Sequence, residues 1–525
     1  MLVMLEFIHK LTPSFLVTLF LPLMALGNKF PFGLVQAQTI DFQNQTITGC
    51  GNPGNSNFDS NEVLKLCIEA INIELEFGSL WKNQKFEEAR FKLKQALTIW
   101  QQLGNKKKEG HILNLLAASY FGFNQIEQAL PLYQQALEIY QQVDDPEEKM
   151  KALRGLGSLS EGDRHYQQAL DYYQEALAIS HQVDDKCSEA VSLSSIGGVY
   201  LKIAHPYNKE QIPNIDNLTS GRSLNEIRRQ ALDYYYQALP LAHISSCHLL
   251  SILNSIGVVY QHLGQEQEAL KFYQQALTES RRRETNDSQA SILANIAVLK
   301  SKQGNLQEAF TDIQSAIDIV ENYRTYLISP DFRTTYFSSQ QNIYETYIDI
   351  LMQLHQKDPT KGYDAQAFYA SERSRARSLI ELLAEANVDI RQGVDPQLLE
   401  QERNLQEELD GIEKRRIELS RGYYSQAQAD QLEQTRQTVW SKYKNLQDEI
   451  RLKSPNYGAL QYPQPLTLTQ VQQQLLDKDT ILLQYSLGEE RSYLWAVTKD
   501  SITNYQLPPH EQILSKISAR KSASC

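Results

Sequence analysis

The side chains best suited to covalent or metal chemistry in this 525-residue chain are five cysteines and ten histidines. The cysteines are Cys50, Cys67, Cys187, Cys247 and Cys525, and their spacing makes no metal-binding pattern, so no metal and no cofactor are expected. A bond between Cys50 and Cys67 would run across the Gly/Asn-rich stretch Gly49–Asn57. Two readings stand for them: a disulfide in an oxidising compartment, or a core Cys67 with a free Cys50. The cations come in short runs, Lys106–Lys108 and Arg281–Arg283, of the kind found in solvated turns. Lys and Arg total 51 against 63 Asp and Glu, a net charge of -12, which argues against a nucleic-acid partner. Arg373 and Arg377 are four residues apart and share a helical face. They make either an anion clamp or a surface stripe paired with Glu372 and Glu381.

The residues that recur at fixed spacing are of another kind. An alanine, then a large residue four later, then an alanine three later appears as Ala89-Leu93-Ala96, Ala129-Tyr133-Ala136, Ala169-Tyr173-Ala176, Ala231-Tyr235-Ala238, Ala269-Tyr273-Ala276 and Ala309-Ile313-Ala316. A small residue (Ala117, Gly157, Gly257 or Ala297) stands twelve before most of the leading alanines, and Tyr120, Tyr200 and Tyr260 follow such positions. The pattern predicts a helix-turn-helix repeat in which small residues let two helices approach closely. Gly264-Gln265 and Gly304-Asn305 read as turns closed by a left-handed glycine. The copies resemble tetratricopeptide repeats with a period near 40 residues. Six of them span about residues 62–322, with an insertion near 204–225 containing Pro206, Pro213 and Gly221.

A stack of such pairs leaves one face of each first helix for ligands. By register the candidates on that face are Asn114, Lys151, Arg154, Asn254 and Lys302. Amides and cations there suit an extended or carboxylate-ended peptide; the alternative is a solvated helix face.

Beyond the repeats, Tyr336–Leu354 and Tyr363–Asn387 read as amphipathic helices. The stripes Leu405-Leu409-Ile412-Leu419 and Leu432-Val439-Tyr443-Leu446-Ile450 read as an antiparallel helical hairpin. From Ile481 the period drops to two. Ile481–Leu487 and Tyr493–Val497 form a predicted β-hairpin, Ile502–Leu507 offers a third strand, and His510 follows in a loop.

This order of elements, with the run Ala370-Ser371-Glu372-Arg373-Ser374-Arg375-Ala376-Arg377-Ser378-Leu379, resembles bacterial CHAT-domain proteins, caspase-like peptidase relatives frequent in cyanobacteria. The likeness covers about residues 62–510 and is most specific over Phe337–Leu354 and Ala370–Leu383. It implies a repeat scaffold joined to an α/β peptidase domain with a His/Cys dyad downstream of its opening strands. His510 and Cys525 do not fit that dyad, because 15 residues leave little room for a strand and its crossover. The expected fold is therefore mainly α: a tetratricopeptide-repeat α-superhelix, a helical hairpin and the opening strands of an incomplete caspase-like domain. As written the chain is expected to bind a protein or peptide without catalysis. The alternatives are a fragment of a cysteine peptidase completed beyond residue 525, and a helical spacer.

At the N-terminus, Lys10 precedes the apolar stretch Leu11–Leu26, and Val35-Gln36-Ala37 supplies a cleavage site. An exported, periplasmic or extracellular protein with no membrane span after cleavage is expected. The expected organisation is a signal peptide (1–37), a linker (38–61), the array (62–322), a helical extension (323–392), the hairpin (393–453) and the opening part of a CHAT domain (454–525). The unpaired strand edge of that last segment is expected to leave it disordered, aggregation-prone or masked by the hairpin.

Overall fold

The computed structural model describes residues 60–82, 85–205, 219, 221–245, 247–282, 286–324, 330–385, 394–420, 426–454 and 465–523. The leader, the linker with Cys50, most of the insertion and Cys525 lie outside the described residues. The chain divides into two compact units at Ser288 and Gln289.

The first unit is a series of helix pairs. α1 (Ser60–Lys82) pairs with α2 (Phe86–Gln102), α3 (Lys106–Phe121) with α4 (Ile126–Tyr140), and α5 (Pro146–Gly162) with α6 (Tyr166–Gln182). α7 (Lys186–Ile203) pairs with α8 (Leu224–Ser245), and α9 (Leu249–His262) with α10 (Glu266–Arg282). The expected close approach is present. A Cβ on Gly157 would lie 2.6 Å from the Tyr173 ring, and one on Gly257 would lie 2.5 Å from the Tyr273 ring. Ala129, Ala169, Ala231 and Ala269 are completely buried at the same level. Tyr200 stacks on Tyr234 with ring centroids 5.6 Å apart, and Tyr260 stacks on Phe272 at 5.6 Å, so each ring closes its own pair.

The turns inside the α3–α4, α5–α6 and α9–α10 pairs share one geometry. Asn124, Arg164 and Gly264 all stand five residues before a leading alanine, and all have positive φ. The following residue returns its N–H to the helix: Gln125 to Tyr120, His165 to Ser160 and Gln265 to Tyr260. This is the six-to-one closure of a left-handed helix end, where glycine is free of the Cβ penalty. Cys187 at the start of α7 and Cys247 just before α9 form a disulfide, with Cα atoms 5.5 Å apart. Sequence reasoning did not anticipate it. Cys67 is buried in α1 and is also disulfide-bonded.

The second unit begins with α11 (Asn286–Lys302), α12 (Leu306–Arg324), α13 (Pro330–Lys357) and α14 (Tyr363–Glu385). Gly304 closes the α11–α12 turn with φ +82°. α13 and α14 form a further helix pair, in the region read as a plain helical extension. α15 (Pro396–Ser420) and α16 (Gln426–Lys453) make the expected hairpin. Leu398 packs with Leu446 and Ile450, and Leu409 and Ile412 pack with Val439 and Tyr443, which fixes the helices as antiparallel.

After the short helix α17 (Leu468–Gln474) come β1 (Leu482–Ser486), β2 (Ser492–Val497) and β3 (Ile502–Leu507), an antiparallel meander in the order β1-β2-β3. Gln484 faces Trp495, which faces Asn504. Two expectations are corrected here. His510 opens a helix, α18 (His510–Ala523), where a loop was expected; its main-chain N–H bonds the Gly488 carbonyl, anchoring that end to the β1–β2 turn. The sheet is folded, where disorder was one expectation, and its inward face packs on α14 and α13. Trp495 meets Phe368 edge to face at 6.3 Å.

The turn geometry carries a stability prediction. Arg164→Gly removes a left-handed non-glycine residue and should raise stability by about 1 kcal/mol. Gly264→Ala should lower it by a similar amount, because no neighbour approaches within 4 Å and the cost lies in the backbone. Urea unfolding of the two variants measures both signs.

Candidate functional site

In the first unit the first helices carry a continuous polar stripe. Lys108 on α3 reaches back to Glu74 on α1 at 3.0 Å. Asn114 on α3 donates its side-chain N–H to the Glu148 carboxylate and to the Glu148 main-chain carbonyl on α5, each at 2.9 Å. His111 and Lys151 meet the other Glu148 oxygen at 3.0 and 2.7 Å. One step on, Arg154 of α5 donates to the Ser188 hydroxyl of α7 at 2.9 Å. Glu161 of α5 holds Lys202 of α7 at 2.6 Å and accepts the Tyr173 hydroxyl. The partners repeat at an interval of 34 residues (74 and 108, 114 and 148, 154 and 188), because a position on one first helix meets the start of the next.

The five candidates therefore have different fates. Asn114 is buried at 4% exposure and spends its donors on Glu148, so it ties two helices together and does not face an open groove. Lys151 is half-buried and neutralised by Glu148 and Glu147. Burial raises the Glu148 carboxyl, but His111 and Lys151 outweigh it and bring it down to about 2. Asn254 holds the matching position on α9 and is half-buried. Lys302 belongs to the second unit, where it meets Glu490 at 2.7 Å.

Arg154 is the exception. Among the described residues no carboxylate lies within 4.0 Å of its guanidinium. Burial pulls its affinity for the proton below the usual arginine value, against the more distant Asp185 and Glu147. Sequence reasoning found the cations but missed Glu148, Glu161 and Ser188. The signal that locates Glu148 and Ser188 is the 34-residue interval.

The second unit holds a separate polar cluster, where the sheet meets α13. Asp349 accepts Nε and Nη2 of Arg491 at 2.7 and 2.6 Å and the Tyr493 hydroxyl at 2.6 Å. The Asp349 hydrogen bond holds Arg491 further toward its charged form. Gln353 bridges Asp349 and Ser301, Gln356 bonds Gln506, and His355 bonds Asn504. Arg373 meets Glu321 on α12 at 2.9 Å; the side chain of Arg377 lies outside the described residues. A cleft of about 420 Å³ is lined by Glu308, Lys357, Asp358, Lys361 and Tyr363, with charges of both signs. Among the described residues no group of three His, Cys, Asp or Glu is gathered to hold a metal ion, and no helix is long and apolar enough to cross a membrane.

Glu345 of α13 sets a pH dependence on this cluster. Burial, with Glu489 adding to it, pushes its carboxyl from 4.5 up to about 8. A raised carboxyl favours the folded state at low pH, so its contribution is full below about 4.5 and is lost as pH rises through about 8. Protection factors over residues 482–507, which correct for the intrinsic rise of exchange with pH, should therefore fall across that window, and Glu345→Gln should flatten the fall.

A tetratricopeptide-repeat family model matches residues 78–142 and 248–322, and a second matches residues 152–186. No curated protein matches the chain. Among solved structures, the apo form of RapI is 13% identical over 59% of this chain and 98% of its own, with a TM-score of 0.44. Aspartyl phosphate phosphatase F from Bacillus subtilis is 13% identical over 59% and 71%, with a TM-score of 0.43. A putative kinesin light chain repeat protein from Podosopora anserina is 16% identical over 41% and 96%, with a TM-score of 0.31. The chain carries tetratricopeptide repeats over residues 78–142, 152–186 and 248–322.

Proposed function

We propose that the chain is a non-catalytic interaction scaffold that binds an extended peptide or protein segment along its first helices, with Arg154 receiving an anionic group of the partner. The observation that carries this reading is the contrast within one stripe. Lys108, Lys151 and Lys202 are each paired with a carboxylate of the chain, whereas Arg154 has a neutral hydroxyl. A half-buried guanidinium with unused donors gains most from a carboxylate brought by a ligand.

An array of decapeptides with free-carboxylate and amidated ends tests it. Binding should favour acidic or free-carboxylate peptides. Arg154→Ala should weaken it roughly 10- to 100-fold, the range of a charge-assisted hydrogen bond. Equal binding by Arg154→Ala defeats the reading.

Export to the periplasm or the cell exterior belongs to the same proposal. The apolar stretch Leu11–Leu26 and the Cys187–Cys247 disulfide support it, since disulfides persist in oxidising compartments. N-terminal sequencing of material made in a Gram-negative host should begin near Gln38; intact Met1 in a cytoplasmic fraction argues the opposite. The likeness to CHAT-domain proteins extends the reading to the C-terminal sheet, whose hairpin falls on the strands that likeness requires.

A further inference from the structure

We infer that the Cys187–Cys247 disulfide is a redox-sensitive positioning element of the Arg154 site: oxidised, it holds the first turn of α7 so that Ser188 orients the Arg154 guanidinium toward an anionic ligand, and a dithiol reductant that cuts it weakens that site. The inference rests on the reading of Arg154 as the ligand anchor and names how the anchor is regulated.

The bond and the anchor meet on consecutive residues. Asp185 caps α7, accepting the main-chain N–H of Cys187 at 3.0 Å and of Ser188 at 3.1 Å. On one side Cys187 is bonded to Cys247 at the start of α9. On the other, the Ser188 hydroxyl accepts from Nη1 of Arg154 on α5 at 2.9 Å. One capped turn therefore carries the position of α9 to the guanidinium. At the preceding junction the same level also holds an ion pair, Lys107 with Asp145 at 3.0 Å. One repeat later the counterparts are Glu147 and Asp185, two carboxylates that cannot pair. The start of α7 has the disulfide where the start of α5 has that ion pair.

The start of α9 leans on the bond as well. Asn105, Asp145 and Asp185 cap α3, α5 and α7 through their side chains, whereas His248 makes no side-chain cap on α9 and holds a left-handed φ of +55°. A residue other than glycine resists that conformation, so this end relaxes when the bond is cut.

The cut is a thiol–disulfide exchange. Cys187 is half-exposed and Cys247 nearly buried, so exchange begins at Cys187. A thiolate of the reductant bonds to Sγ of Cys187, the S–S bond breaks, and Cys247 leaves as a thiolate and takes a proton. The second thiol of the reductant then displaces Cys187, which leaves as a thiol, and the reductant departs as its own disulfide. Two electrons pass to the protein, and the two protons given up by the dithiol end on the two cysteines. Arg154 loses its fixed orientation. An arginine already held in place binds an anion without surrendering rotamer freedom, and a released one must surrender it.

The experiment uses the full chain and two probes. Phenylglyoxal labelling of Arg154, read by mass spectrometry, reports its freedom without any ligand. Anisotropy of fluorescein-labelled tetra-aspartate reports binding. Cys67 is also disulfide-bonded, so a variant with Cys187→Ser and Cys247→Ser separates this bond from the other. Dithiothreitol on the parent, and the cysteine variant without it, should each raise Arg154 labelling several-fold and weaken tetra-aspartate roughly tenfold. Ser188→Ala with the bond intact should do the same. Added to the cysteine variant it should change nothing further, because both act through one contact. Additive effects, or labelling that ignores the cysteine variant, overturn the inference. So does hydrogen exchange that rises evenly over α7–α9 in that variant, which would make the bond a general support. Tetra-aspartate that binds no form of the chain defeats the ligand reading at Arg154 and the affinity claim with it, whereas the labelling decides the coupling by itself.

Discussion

The structure depends on how closely two helices of a pair can approach. At Gly157 and Gly257 the absent side chain is replaced by the face of a tyrosine from the partner helix, with no room for even one carbon. That contact fixes the separation and rotation of the pair. Once these are fixed, the residues three and six positions earlier on the first helix, about 60° and 120° around it, are turned toward the first helix of the next pair, where polar groups collect. The polar stripe from Lys108 to Lys202 is therefore a consequence of packing. Its side chains meet their partners because the buried alanines and rings leave the first helices no other register.

This is also why so much of the fold was legible in sequence. Alanine, glycine and tyrosine at fixed spacing state the packing directly, and the left-handed turn positions follow from it. Asn124 and Arg164 were hidden, because neither residue type announces a left-handed conformation as glycine does. The strands Leu482–Ser486 and Ser492–Val497 were readable from period-two patterning. What they pack against was not, because Phe368 lies more than a hundred residues away and a single pattern cannot pair two distant surfaces. For the site, residue type identified the cations, but the charge left available at each depends on carboxylates one repeat away. Asn114 and Arg154 occupy the same register position, yet one is consumed by Glu148 and the other meets only Ser188 among its hydrogen-bond partners.

The disulfide follows the same logic. Cys187 and Cys247 each stand ten residues before the glycine of their helix, Gly197 and Gly257, so they hold one register position in consecutive first helices. The earlier junctions are tied at this level by Asn114 to Glu148 and by Arg154 to Ser188; here the tie includes a covalent bond. The two cysteines are separated by 60 positions that take in α8 and the inserted segment, which disguises the equivalence when spacing alone is read. Closing so long a loop removes chain entropy from the unfolded state on the order of 4 kcal/mol in the loop-entropy model. The bond therefore stabilises the pair that the insertion interrupts.

The C-terminal sheet obeys a different constraint. Its inward face mixes the buried Tyr493, Trp495 and Val497 with a ring of polar contacts to α13, while Leu483, Leu487 and Tyr505 are exposed. Burial of the aromatic residues supplies most of the attraction, at about 25 cal/mol per Å² of apolar surface. It does not select a position along the helix. The polar ring does, because a shift by one residue along the strand would turn Tyr493 and Trp495 outward and leave Asp349 without its partners. Half-buried polar pairs such as Arg491–Asp349 add modest net energy when made and cost more when a partner is removed, so they hold the docked sheet in one register more firmly than they hold it in place.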